Sequence, residues 1–233
     1  FVDAEEVQLV REELLPTDQE FDPLTVKWLL HVPPARLEDG LSDLDRLTRA
    51  IQQEWGKMRV AYSLRVLRTV AATLRKNGGV VTVTLIREPG QLHVIELEPG
   101  DTTTRLFGIA ADVGTTTVAL QLVDLTNRRI LGTRSEYNAQ IACGLDIISR
   151  INYARRPDRL IELRDRVLAT LNGLLHQIAQ SHGVAPAEIG SAVISGNTTM
   201  AHLLLGLDPE HIRLEPYTPT VLEVPYLTAR DVG

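Results

Sequence analysis

The chain has 233 residues, 44% hydrophobic and 23% charged, an ordinary globular balance with length for two units. A net charge of −6 without any Lys/Arg run excludes a nucleic-acid or membrane-surface binder, and no apolar run reaches the ~20 residues that span a bilayer. The single cysteine, Cys143, excludes an internal disulfide framework or cysteine metal site and suits a cytoplasmic setting.

In chain order, residues 1–25 are acidic, broken by Pro16 and Pro23, and read as a linker with one short helix over 5–15. The start at Phe1 is acidic and is no signal peptide, and both ends read as cuts through a longer chain. A small α/β unit is expected over 26–100. It opens with an apolar strand at 26–32, closed by Pro33 and Pro34. Ser42 begins a helix with Asp45 placed for a capping box, and Leu44, Leu47, Ile51 and Trp55 form its apolar stripe. A second helix over 63–77 carries Leu67, Val70, Ala71 and Leu74, and Asn77-Gly78-Gly79 ends it. Strands at 80–86 and 92–97 flank Glu88-Pro89-Gly90-Gln91, which suits a type II turn. The predicted order is β-α-α-β-β.

Pro99-Gly100-Asp101 marks a boundary, and a second unit runs over 104–233. Three strands are predicted at 106–113, 117–124 and 129–137. Asp146 opens a short helix to Tyr153, and Pro157 begins a long one with Leu160, Leu163, Val167, Leu171, Leu174 and Ile178 as its buried stripe. A short strand at 192–195 leads through Gly196-Asn197-Thr198-Thr199 into a helix ending near Leu205. The order β-β-β-α-α-β-α does not describe a uniform parallel sheet.

Asp112-Val-Gly-Thr-Thr-Thr117 carries the clearest chemical signal. Gly114 lets the backbone approach a phosphate closely, and the N–H groups and hydroxyls of Thr115, Thr116 and Thr117 can surround its oxygens. Asp112 would repel the phosphate directly and suits a hydrated Mg²⁺ or an oriented water. The same residues also fit a plain hairpin with a glycine bulge. Neither a Walker loop nor a G-x-G-x-x-G run competes. Ser195-Gly-Asn-Thr-Thr199 joins a strand to a helix. It fits an anion site built on Gly196, Asn197 and Thr198, or simple capping by Asn197 or Thr198. In the stretch Asn138, Gln140, Gly144, Asp146 and Arg150, Asp146 could position an attacking water, or could cap its helix with Arg150 pairing one turn on. Cys143, His202 and His211 read as structural or solvated.

The hairpin and strand order resemble the actin, hexokinase and chaperone ATPase superfamily. The chain as a whole resembles the reductive activators of corrinoid-dependent enzymes. That resemblance rests on Lys27-Trp-Leu-Leu-His-Val-Pro-Pro34 and Ser42-Asp-Leu-Asp-Arg-Leu47 in the first unit. In the second it rests on Gly108 through Thr117, Asn138-Ala-Gln140, Gly144 through Ile151, Ser195 through Pro209, and Glu215-Pro-Tyr-Thr-Pro219. It implies a mixed α/β (α+β) chain, a small middle domain followed by the first part of an actin-like, ribonuclease H-like ATPase domain. It also implies ATP and Mg²⁺ as cofactors, with a two-iron two-sulfur cluster in a ferredoxin domain of the full-length protein and none in this chain. The implied activity is ATP-driven return of a Co(II) corrinoid protein to Co(I). The implied partner is a corrinoid protein or corrinoid-dependent methyltransferase, and a homodimer is compatible. Asp112, Gly114, Thr115 and Thr116 would then take phosphate and metal, with Gly196, Asn197, Thr198 and Asp146 near the same cleft. The fragment alone is expected to bind ATP weakly. A small-molecule kinase of the same superfamily, or a nucleotide-binding scaffold without turnover, would share the hairpin.

Overall fold

The structure is a computed structural model that describes residues 13–14 and 21–232. It is a mixed α/β architecture built on two sheets, each with its own hydrophobic core. The first sheet has the order β2 (Thr25–His31), β4 (Val80–Glu88), β5 (Gln91–Pro99), β3 (Arg59–Tyr62). Its pairs are antiparallel except β3 with β5, which run parallel. Helices α1 (Asp43–Trp55) and α2 (Leu64–Lys76) supply Leu47, Ile51, Val66, Val70 and Leu74 to a core shared with Val81, Val83, Leu85, Leu92 and Val94.

The local signals act as expected at the helix starts. Ser42 caps α1 and forms the full capping box with Asp45, and Ser63 caps α2. Two points depart from the sequence reading. The four-residue strand β3 was not foreseen, so the unit runs β-α-β-α-β-β; its ladder partner among the described residues is β5, 32 positions on. In α2 the inward face carries Val66, Val70, Thr73 and Leu74, whereas Leu67 is 43% exposed and Ala71 is exposed. Two apolar neighbours compete at 66 and 67, and it is Val66 that packs into the core.

The second sheet has the order β1 (Glu13–Leu14), β8 (Arg129–Tyr137), β7 (Thr117–Asp124), β6 (Phe107–Val113), β9 (Ile189–Gly196). The helix expected over 5–15 falls mostly outside the described residues, and the two described ones, Glu13 and Leu14, form an antiparallel edge on β8. The β6-β7-β8 meander is antiparallel. The chain then crosses through a 3-10 turn at Ala139–Cys143, α3 (Ile147–Tyr153) and the 25-residue α4 (Pro157–Ser181). It returns as β9, parallel to β6, as a crossover connection requires. Leu163, Val167, Leu171, Leu174 and Ile178 of α4 pack on Ile109, Ala111, Val118, Leu120 and Leu122, and α5 (Thr198–Leu205) adds Met200 and Leu203. Short helices α6 (Glu210–Arg213) and α7 (Ala229–Val232) follow. Among the described residues no helix is long and apolar enough to cross a membrane.

Candidate functional site

The β6–β7 ladder closes at the pair Val113↔Val118, which leaves residues 114–117 to turn the chain. Gly114 N–H donates to Thr117 O across 3.0 Å and sets the turn. A Cβ built on Gly114 would stand 2.6 Å from that carbonyl oxygen, closer than a real methyl group can come. The turn therefore requires glycine at this position.

The carbonyls of the turn are all drawn into the protein. Asn138 Nδ2 donates to Gly114 O at 2.9 Å, Arg150 Nη2 to Thr115 O at 2.6 Å, and Asn138 N–H to Thr116 O at 2.8 Å. A trans peptide plane points its C=O and its N–H to opposite sides. Holding Gly114 O and Thr115 O inward therefore aims the N–H groups of Thr115 and Thr116 outward. Among the described residues no acceptor bonds either N–H. Two outward donors, with the exposed Thr116 beside them, form a donor set that suits an anion.

The second loop arrives through the parallel register of β6 and β9, which sets Asp112 beside Ser195 and Val113 beside Gly196. Ser195 Oγ donates to Asp112 Oδ1 at 3.1 Å and lies 3.2 Å from Ala111 O. A Cβ at Gly196 would meet Val113 O at 2.9 Å, so small size matters here too. Asn197 caps α5 by accepting from Met200 N–H at 3.0 Å, while its amide reaches Thr115 Oγ1 at 3.4 Å. Capping and a place at the hairpin are thus not alternatives for Asn197. The carboxylate of Asp112, the turn at 114–116 and the N-terminus of α5 with Thr198 all lie at the C-terminal ends of two parallel strands, where open α/β sheets bind ligands.

Asp146 is engaged by its own helix. Its Oδ1 accepts from Ser149 N–H at 2.8 Å in a complete capping box of α3. The pairing expected between Asp146 and Arg150 does not form. Arg150 is fully buried and turns to Gly144 O, Gln140 Oε1, Met200 Sδ and Thr115 O instead. Gln140, also buried, passes its amide on to Leu163 O of α4. Asn138, Gln140 and Arg150 are the residues whose part the sequence reading missed. Polar types clustered within thirteen positions were the available signal, and only tertiary packing shows that they back the hairpin.

Cys143 is half-buried, 3.8 Å from Glu162 Oε1. Glu162 also accepts from Tyr153 Oη at 2.6 Å and pairs with Arg166. The bond to Glu162 pushes the Tyr153 phenol up to about 12. His202 is buried, with Nδ1 2.7 Å from Thr198 O and Nε2 accepting from Thr220 N–H at 3.0 Å, so it ties the segment after α6 to α5. His211 is exposed.

A family model described as "RACo middle region" matches residues 107–233, and one described as "RACo linker region" matches residues 16–104. The segment read above as a middle domain thus carries the linker label, and the segment read as an ATPase domain carries the middle label. The corrinoid activation enzyme RamQ of Eubacterium limosum is 40% identical over 113 residues, which cover 48% of this chain and 19% of RamQ. A solved structure of a reductive activator for corrinoid, iron-sulfur protein is 41% identical with a TM-score of 0.85, covering 94% of this chain and 35% of its own. The chain therefore spans well under half the length of either relative.

Proposed function

The chain belongs to the RACo family, whose two models together take in residues 16–104 and 107–233, and from that premise we propose that it is part of an ATP-dependent reductive activator of corrinoid proteins. The reaction is a one-electron reduction of Co(II) to Co(I). The electron comes from a two-iron cluster carried outside this chain, and ATP drives a protein with two states. The corrinoid protein, or a corrinoid-dependent methyltransferase, is the partner and the cobalt is its cargo. The setting is cytoplasmic, and a homodimer is compatible with this reading. The family descriptions favour the activator over the kinase and scaffold alternatives.

The observation that carries the nucleotide reading is the hairpin with its carbonyls tied inward by Asn138 and Arg150. Bound Mg²⁺·ATP would supply the phosphoanhydride whose binding and hydrolysis bias the two states. The N–H groups of Thr115 and Thr116, with the threonine hydroxyls through Thr117, hold phosphate oxygens, and Gly114 makes room for the turn. Asp112 would hold a hydrated Mg²⁺ through its second carboxylate oxygen, since Ser195 occupies the first. Gly196, Asn197 and Thr198 border the same cleft from α5. Asp146 has the lesser role of orienting water through the oxygen its helix cap leaves over. Residues 1–25 serve as linker, 26–100 as a small spacing domain and 104–233 as part of the ATPase domain. The separate sheets and cores support that division.

The test is ATP-dependent loss of the Co(II) signal of a corrinoid partner, followed by electron paramagnetic resonance with the full-length protein and a chemical reductant. Wild type is expected to consume the signal only when ATP is present, and Gly114→Val to consume none. ATP-independent reduction, or an unimpaired Gly114→Val, would sink the proposal.

A further inference from the structure

Arg150 carries a charge that forms no ion pair among the described residues. It is fully buried, yet its bonded partners are two backbone carbonyls, one amide oxygen and one thioether. Among the described residues no carboxylate pairs with it; Asp146 acts on it only through space. A guanidinium stays protonated inside a protein, and a buried, unpaired cation costs several kcal/mol by order of magnitude. Four hydrogen bonds offset part of that. A methionine or leucine could fill the volume without the penalty, so packing alone gives no reason for the charge.

The position supplies one. The shortest of its bonds runs to Thr115 O, the carbonyl whose inward orientation turns the Thr116 N–H outward. The charge lies directly behind the turn, on the side away from an incoming anion, where water screens it little. Its other donors tie α3, the 3-10 turn and α5 to the same point. We propose that Arg150 is a positioning residue for phosphate, aligning the Thr115–Thr116 peptide and lending the hairpin a fixed positive charge without touching the ligand. This rests on the phosphate reading of the hairpin given above.

The experiment uses the full-length protein and calorimetry with two probes, Mg²⁺·ATP and adenosine. Arg150→Met and Arg150→Gln are compared with wild type and with Gly114→Val. Both neutral variants are expected to lose at least about tenfold in ATP affinity while adenosine binds within about twofold. Arg150→Lys, which keeps the charge, should recover part of the ATP affinity that both neutral variants lose, which a role in packing alone would not cause. ATP binding at wild-type strength in either folded neutral variant, alongside its loss in Gly114→Val, would overturn the role of Arg150 and leave the phosphate site standing. Unchanged ATP binding in Gly114→Val would overturn the phosphate reading and this inference together. Failure of both neutral variants to fold would make Arg150 structural and would likewise overturn the proposal.

Discussion

Thr25 Oγ1 donates to Gly190 O across 3.2 Å, joining the first strand of one sheet to the edge strand of the other over 165 positions. A Cβ at Gly190 would fall 2.6 Å from Thr25 Cγ2 and 3.0 Å from a Leu106 methyl carbon. Gly190→Ala should therefore destabilise the chain by about 1–3 kcal/mol in urea unfolding. Thr25→Ser removes the clashing methyl and keeps the hydroxyl, so adding it should recover about 0.5 kcal/mol or more of that loss. A strictly additive double mutant would refute the contact.

Asn138 is the second support of the hairpin. Asn138→Leu leaves Gly114 O without its donor and removes the side-chain acceptor of Gln140 N–H. An unsatisfied buried group costs about 1–3 kcal/mol, so the unfolding midpoint should fall accordingly. Amide exchange at Gly114, whose N–H is bonded to Thr117 O across the turn, should rise in the same variant. Unchanged exchange there would mean that Asn138 does not hold the turn.

Arg105 and Glu188 form an exposed bridge with a definite pH signature. The Arg105 guanidinium, helped by the Ala185 N–H and opposed by burial, holds the Glu188 carboxyl down at about 2, against 4.5 ordinarily. A lowered folded-state pKa gives stability that is present above 4.5 and is lost as pH falls from 4.5 to about 2. Arg105 is half-exposed, so screening limits the pair to roughly 1 kcal/mol. Glu188→Gln should be less stable than wild type by that amount at pH 7, and the difference should close near pH 2. A constant difference across that range would contradict the assignment.

Tyr153 reports on its neighbour. Ionising the phenol removes the proton that Glu162 accepts and sets a phenolate beside the carboxylate, which is why it titrates at about 12. In Glu162→Gln the ultraviolet difference titration should show one tyrosine moving down toward 10. No movement would place the cause elsewhere.

What the sequence disclosed follows the range of the interactions. The cap at Ser42, the cap at Asp146 and the start at Pro157 depend on neighbours within one turn, and the structure holds all three. The three strands of the meander were legible because their alternation and turns are local. β3 was not legible, since four residues earn a ladder only from a strand 32 positions away. Leu67 was placed inward because apolar spacing does not distinguish it from Val66. At the site, Asp112, Gly114 and Asn197 stood out by type, whereas Arg150 resembled a surface partner of Asp146 until packing buried it.

The tethered carbonyls of Gly114, Thr115 and Thr116 bear on binding thermodynamics. Their peptide planes are already fixed, so an anion bound there would order little backbone, at a small entropic penalty. Affinity at such preorganised donors should be set by how fast the anion leaves more than by how fast the loop closes over it.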